Sequence, residues 1–278
     1  MNCPYAEVIG DPIAHSKSPL IHNFWLQKRG IDAEYRACHV RPDELADYFA
    51  NCRKDPNWRG CNVTIPHKEA VVAHIDHLWP GTLEIGAINT VIKREDQLFG
   101  ANTDVAGVVK PINILLTALF GSAPAPQQRV AIIGSGGAAR AAAAAIRSRF
   151  PDWPMSILAR RPEQAQMIDI KADIWLIEDA ALTDVTVLIN ASPLGMIEKP
   201  PLNLSLAAMR GGEAQKIIFD MVYAPLETSL LAQARREGFA TIDGLQMLVA
   251  QAAEAFQLIF GQPAPRDHDD ELRALLVK

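Results

Sequence analysis

The stretch Ile132-Ile133-Gly134-Ser135-Gly136-Gly137-Ala138-Ala139-Arg140 constrains the fold more than any other part of the chain. A short apolar run ends in G-x-G-x-x-A and passes directly into the helix-favouring run Ala141 to Ala145. In a strand-turn-helix of this kind each small residue has a physical task. Gly134 permits a tight turn, Gly136 lets main-chain amides approach a pyrophosphate, and Ala139 allows the helix to lie close on the strand. Ser135, Gly137 and Ala138 complete the cradle, and the helix N-terminus turns positive potential toward a phosphate. This is the Rossmann dinucleotide fingerprint in its proper context. The competing reading is a glycine-rich turn that serves packing alone.

The next strand, Met155 to Leu158, ends about 20 residues further on, where an NAD site places an acidic group on the ribose 2′-hydroxyl. Here the residues are Ala159-Arg160-Arg161. Two guanidinium groups and no carboxylate favour a 2′-phosphate, because arginine binds phosphate bidentately and an acid repels it. NADP(H) is therefore the expected cofactor. If the arginines serve only the surface, NAD is acceptable as well.

Length and composition set the frame around this unit. A chain of 278 residues at roughly 150 per domain gives two modest domains. With 49% hydrophobic and 21% charged residues it is neither disordered nor a coiled coil. Twenty-seven basic against 32 acidic residues leave a net charge of −5, which argues against a nucleic-acid or anionic-membrane surface. A small anionic ligand needs only local cations and amide donors. Cys3, Cys38, Cys52 and Cys61 lack C-x-x-C spacing, so no metal site is expected and the thiols are expected to be free and mostly buried. The amino-terminal residues carry no basic stretch followed by an apolar one, and no apolar run of about 18 residues occurs, so a cytoplasmic protein is expected. Oligomeric state is left between monomer and homodimer.

Short apolar runs (Ala6 to Ile9, Val130 to Ile133, Val185 to Ile189, Ile217 to Phe219) alternate with segments of helical spacing, which predicts an α/β chain with largely parallel sheet. The first helix is predicted from about Pro19 to Arg29, with Ser18 as N-cap and Gly30 as its left-handed stop. Further helices are expected from about Asp104 to Leu119 and from about Gly244 to Phe260. The proline-bearing stretch Gly121 to Gln128 reads as a surface loop within the cofactor unit, ahead of the strand Arg129 to Ile133.

Outside the cofactor turn, polar residues stand at strand ends in three places: Ser16-Lys17-Ser18, Asn62 to Lys68, and Asn102-Thr103-Asp104. Ligands of open α/β sheets sit beyond the carboxyl ends of strands. Ser16 and Ser18 flank a helix start, where hydroxyls, free amides and the helix dipole suit a carboxylate, although simple N-capping by Ser18 explains the position as well. Lys68 follows Pro66 at an apparent helix start, where the dipole disfavours a cation. For hydride transfer to a carbonyl it can give a proton to the developing alkoxide, and Asp104 can hold its ammonium or share the proton. The competing reading of Lys68 is a solvated surface lysine. His67 reads as structural.

Taken together, these residues resemble the shikimate dehydrogenase family over nearly the whole chain. The matching stretches are Gly10 to Pro19, Asn62 to Lys68, Gly86 to Thr90, Asn102 to Asp104, Gly134 to Arg140, Asn190 to Met196, Asp220 to Thr228 and Asp243 to Ala252. The resemblance implies reversible NADP(H)-linked reduction of 3-dehydroshikimate to shikimate. It also implies a substrate-binding and catalytic domain, residues 1–103 plus 244–278, and a Rossmann domain, residues 104–243, separated by a cleft. By the same resemblance Ser16 and Ser18 hold a carboxylate, and Asn62, Asn89, Asp104 and Gln251 bind ring hydroxyls. Thr64 and Tyr223 match substrate-pocket positions, Gly244 lies at the cofactor, and Lys68 with Asp104 is the catalytic pair. One departure stands at the cofactor strand: Arg160 is present, but Gln164 replaces the second arginine of the usual clamp. Two alternatives remain open, a quinate/shikimate enzyme using NAD and a non-catalytic sensor of a cyclic hydroxy acid.

Overall fold

A computed structural model describes residues 3–122, 126–162, 172–211 and 214–277. The chain divides into two compact units, Met1–Thr103 with Gln251–Lys278 and Asp104–Ala250. Both are α/β.

The first unit contains β1 (Tyr5–Gly10), α1 (Ser18–Arg29), β2 (Glu34–His39), α2 (Leu45–Lys54), β3 (Trp58–Val63), β4 (His77–Leu78), α3 (Thr82–Ile85), β5 (Thr90–Arg94) and β6 (Gln97–Ala101). Its six strands form one sheet in the order β2-β1-β3-β5-β6-β4. β1 pairs in parallel with β2 and β3, whereas β5 runs antiparallel to both β3 and β6. This sheet is therefore mixed, more so than the alternation of apolar runs predicts. Only Glu95 and Asp96 join β5 to β6, Glu95 at a φ of 53°, and so short a connection returns the chain antiparallel.

α1 starts on Ser18, and Lys17 occupies the cap position without a side-chain cap. The expectation that Ser18 caps this helix is thus corrected: Ser16 Oγ accepts the Ser18 N–H at 3.3 Å instead. The left-handed stop at Gly30 is present, at a φ of 63°, with its N–H turned to the Leu26 and Gln27 carbonyls.

The second unit contains α4 (Asp104–Phe120), β7 (Val130–Ile133), α5 (Gly137–Arg149), β8 (Met155–Ala159), β9 (Asp173–Leu176), β10 (Val187–Asn190), β11 (Ile217–Asp220), α6 (Ser229–Arg236), β12 (Ala240–Ile242) and the first turns of α7 (Gly244–Phe260). Its sheet, β12-β11-β10-β7-β8-β9, is parallel throughout. Val130 and Ile132 join one core with α4 and α5, and Ala131 and Ile133 join another on the opposite face with α6. Burial on both faces is why these strands read as unbroken apolar runs. Residues 123–125 of the proline-bearing stretch, and Gln164, lie outside the described residues.

The division between the units falls inside α7, between Ala250 and Gln251. The early part of the helix places Met247 in the second unit's core, while Phe256, later in it, packs edge-on against Trp25 of α1. α8 (Asp269–Leu276) follows and packs beside α1. All four cysteines are free; Cys52 and Cys61 are buried, Cys38 is half-buried and Cys3 is exposed, so burial of the thiols is less complete than expected. Among the described residues no helix is long and apolar enough to cross a membrane.

Candidate active site

In the first unit, the parallel neighbours β1 and β3 end side by side, and the segment Thr64 to Lys68 leaves from that edge. The Thr64 N–H donates to the Ile9 carbonyl at 3.0 Å, and the Asp11 N–H donates to Ile65 at 3.1 Å. This crossing requires glycine at position 10, since a Cβ there would come within 2.6 Å of Thr64 Cγ2. His67 is buried with Nε2 2.7 Å from the Val40 carbonyl, a structural role as expected. Lys68 is half-buried in a turn, and only Ala70–His74 beyond it forms a short 3-10 helix. The expected helix start at Lys68 is corrected accordingly, so the helix-dipole argument has no hold on this lysine. The Lys68 carbonyl accepts the Ile88 N–H at 2.7 Å, which pins the lysine's backbone one residue away from Asn89.

Asn62, Asn89 and Gln251 meet in one buried hydrogen-bond network. Asn62 Nδ2 donates to the Asn89 carbonyl at 3.2 Å and to Thr90 Oγ1 at 3.0 Å, while Asn62 Oδ1 accepts from the Tyr35 hydroxyl at 2.6 Å. Asn89 Oδ1 accepts the Thr103 N–H at 2.7 Å, and Asn89 Nδ2 donates to Thr103 Oγ1 at 3.0 Å. Gln251 Oε1 lies 3.3 Å from Thr103 Oγ1 and 3.4 Å from Asn89 Nδ2. Buried polar side chains joined this completely form a rigid wall rather than a mobile surface. Ser16 and Thr64 are half-buried and Ser18 is buried, so the hydroxyls singled out in the sequence are held within the first unit. Asp104, buried at the start of α4, and Tyr223 belong to the second unit.

In the second unit the Gly134 turn has the conformation that its residues require. Gly134 has a φ of 122°, a Cβ on it would stand 3.0 Å from the Ala191 carbonyl oxygen, and its N–H donates to Leu158 at 2.9 Å. Gly136 opens α5 with a φ of −86° and a ψ of −172°, which any residue can adopt. Among the described residues, a Cβ on Gly136 would meet nothing within 4 Å. Packing within the described chain therefore explains Gly134 but not Gly136, and close approach of a phosphate to the α5 N-terminus does explain Gly136. Ala139 is fully buried against the sheet. Arg160 and Arg161 stand exposed just beyond β8, the strand whose Leu158 carbonyl holds Gly134. Arg160 makes no ion pair among the described residues.

The ends of β10 and β11 carry a second polar cluster, whose members Asn190, Asp220 and Thr228 lie in the matching stretches but have no role assigned from the sequence. Asn190 Nδ2 donates to Asp220 Oδ1 at 2.9 Å, the same oxygen accepts the Val222 N–H at 3.0 Å, and Asp220 Oδ2 accepts from the Thr228 hydroxyl at 2.6 Å. Burial lifts the Asp220 carboxyl above its ordinary value, against the opposing pull of these three hydrogen bonds. The cluster shapes the segment that carries Tyr223, whose hydroxyl burial also lifts. Gly244 sits against this segment: its Cβ would fall 2.4 Å from the Val222 carbonyl oxygen and 2.5 Å from that of Met221. Tyr35, Thr90 and Thr103 join the first unit's network; the sequence gives no signal for Tyr35, whereas Thr90 and Thr103 stand in the stretches Gly86 to Thr90 and Asn102 to Asp104 with no role assigned to them. For two of them a signal exists in adjacency, since Thr90 follows Asn89 and Thr103 precedes Asp104 along the chain.

Known proteins resemble this chain along nearly its whole length. The family model for the shikimate dehydrogenase substrate binding domain matches residues 8–91, and that for the shikimate 5′-dehydrogenase C-terminal domain matches residues 244–269. A shikimate dehydrogenase (NADP(+)) of Sphingopyxis alaskensis is 48% identical over 281 residues, covering 99% of this chain and 97% of the relative. A protein of the same name from Methylobacterium radiotolerans is 40% identical over 272 residues, covering 95% and 93%. The crystal structure of shikimate 5-dehydrogenase from Thermus thermophilus in complex with NADP(H) and shikimate superimposes with a TM-score of 0.82 at 29% identity, covering 98% of this chain and 99% of that one. With relatives of this similarity aligned along nearly its full length, the chain belongs to the shikimate dehydrogenase family.

Proposed function

We propose that this chain catalyses the reversible NADP(H)-dependent reduction of 3-dehydroshikimate to shikimate. The observation that carries the reading is the buried network joining Asn62, Asn89 and Gln251 beside the backbone of Lys68, in the unit that matches a substrate-binding domain. Ser16 and Ser18 take the substrate carboxylate, Asn62, Asn89, Thr64, Tyr223 and Gln251 take the ring and its hydroxyls, and Lys68 with Asp104 moves the proton. The bound nicotinamide supplies or accepts the hydride. As the carbonyl carbon becomes tetrahedral, the Lys68 ammonium gives its proton to the oxygen that would otherwise be left as an alkoxide, and in the reverse direction it takes that proton back. Asp104 holds the ammonium in place.

The Gly134–Ala139 turn holds the pyrophosphate, Arg160 and Arg161 meet the 2′-phosphate, and Gly244 borders the cofactor. Gln164 in place of a second clamping arginine favours a second reading, a quinate/shikimate enzyme that accepts NAD. Measuring kcat/KM for shikimate and quinate, each with NADP and NAD, decides between them. The shikimate–NADP pair is expected to be highest. Turnover with quinate and NAD above that pair favours the second reading, and binding of either acid without turnover with both nicotinamides identifies a sensor.

A further inference from the structure

Lys17 holds the N-cap position of α1, its side chain caps nothing within that helix, and no acidic residue stands in the first turn. A cation there meets the positive end of the helix dipole, where an anion or a neutral acceptor is the favoured choice. The half-buried lysine reaches out of its own helix instead: its ammonium donates to the Leu276 carbonyl at the end of α8. The last carbonyls of a helix lack partners inside it and form its negative end, so α8 supplies what the start of α1 does not. The contact is the first of a row. Phe24 packs edge-on against His268 with ring centroids 6.4 Å apart, Lys28 donates to Glu271 at 2.7 Å, and Arg29 donates to the Pro263 carbonyl at 3.0 Å. α8 therefore runs antiparallel along α1, with Leu272 and Leu276 buried. The exposed Lys28–Glu271 pair adds little to this packing.

Lys17 is also the residue between the two serines proposed to take the substrate carboxylate. The Ser16 N–H donates to the Ile13 carbonyl at 3.0 Å, the Ser18 N–H donates to Ser16 Oγ at 3.3 Å, and the Ile21 N–H donates to the Lys17 carbonyl at 3.2 Å. The Lys17 backbone thus belongs both to the turn that carries Ser16 and to the first turn of α1, which carries Ser18, so a shift of this residue moves both hydroxyls. We propose that Lys17 is a positioning residue for carboxylate binding: by tying the start of α1 to the end of α8 it holds Ser16 and Ser18 in place and makes α8 part of the support of the substrate site. The ammonium is turned to α8, so its action on the ligand passes through the serines.

This rests on the proposed shikimate reading, and the test separates the two. Lys17→Met removes the ammonium at similar length, Lys17→Arg keeps a cationic donor, and Leu272→Ala loosens α8 from a fully buried position while leaving Lys17 in place. For shikimate, Lys17→Met is expected to raise KM by roughly three- to tenfold with a smaller change in kcat and an unaltered KM for NADP. Lys17→Arg is expected to recover most of that loss, and Leu272→Ala to raise KM in the same direction. Because both changes act through one contact, the double variant is expected to fall short of the product of the two single fold-changes. Equal KM in Lys17→Met and wild type, or equal losses in the methionine and arginine variants, overturns the proposal while leaving the enzyme reading intact. So does a Leu272→Ala KM equal to wild type, or fold-changes that multiply, since Lys17 would then act on the ligand by its charge and not through α8. No turnover by the wild type counts against the substrate instead. In that case hydrogen exchange of the α8 amides still reports on the tether. Faster exchange in Lys17→Met than in wild type and Lys17→Arg supports it, and equal rates in all three overturn it.

Discussion

The Thr103 hydroxyl donates to Oε1 of Gln251 at 3.3 Å across 148 positions of sequence. Thr103 is the last residue of the first unit before the chain leaves it, and Gln251 is the first after the chain returns. The bond therefore joins the exit and the re-entry of the chain, and it does so inside the proposed substrate site. Building the site over such a separation makes it dependent on the whole unit being folded.

Lys68 is the residue through which the proton is proposed to move, so its removal should act on the chemical step. Lys68→Met is expected to lower kcat about 100- to 10,000-fold with a smaller change in the KM for shikimate, because the contact strengthens as alkoxide charge develops. Steady-state kinetics with saturating NADP measure this, and a kcat within a few-fold of wild type removes Lys68 from the chemistry.

Two glycines of the cofactor turn are expected to respond differently to the same change. Gly134→Ala forces a side chain into a φ of 122° and against Ala191, so unfolding free energy should fall by roughly 1–3 kcal/mol. The added methyl of Gly136→Ala meets nothing within 4 Å among the described residues, so its melting temperature should stay near wild type while NADP affinity drops. Denaturation and cofactor titration of both variants check the pair; unchanged NADP binding by Gly136→Ala would show that no phosphate approaches there.

Arg160 is exposed and makes no ion pair among the described residues, so Arg160→Ala should leave stability unchanged. Its expected effect is on cofactor choice: NADP weakened roughly 10- to 100-fold and NAD little affected. Dissociation constants for both nicotinamides are the measurement. Equal losses for the two would mean that the guanidinium does not read the 2′-phosphate.

His22 provides a test of stability against pH. Both of its ring nitrogens are buried without a hydrogen-bond partner among the described residues, and burial holds its pKa down to about 3, against 6.5 for an ordinary histidine. Between these values the unfolded chain binds the proton and the folded chain does not, so this residue costs stability progressively as pH falls below 6.5. At pH 5 that is roughly 2 kcal/mol. Phenylalanine at this position can keep the stack on Tyr35 and cannot titrate. Urea unfolding at pH 7.5 and pH 5 should therefore show a smaller loss for His22→Phe than for wild type, and parallel losses would mean that His22 is protonated in the folded state.

Local order along the chain makes much of this protein legible. The Gly134 turn, the parallel strands of the second unit and the helix ended by Gly30 follow from short-range rules of backbone freedom and burial, and all three have the expected form. The antiparallel hairpin of β5 and β6 is hidden, because two polar residues between short apolar runs look like any loop until strand pairing is known. Ser18 reads as a cap in the sequence because sequence does not say whether a helix begins on a serine or after it.

The residue types able to bind an anionic ring and a phosphate, and the neighbourhoods in which they stand, are thus already written along the chain. The joining of Asn62, Asn89 and Gln251 and the recruitment of Tyr35, Thr90 and Thr103 come only with the folded unit. A buried hydrogen bond needs two atoms that face one another, and residues up to 162 positions apart face one another only after the chain has closed on itself.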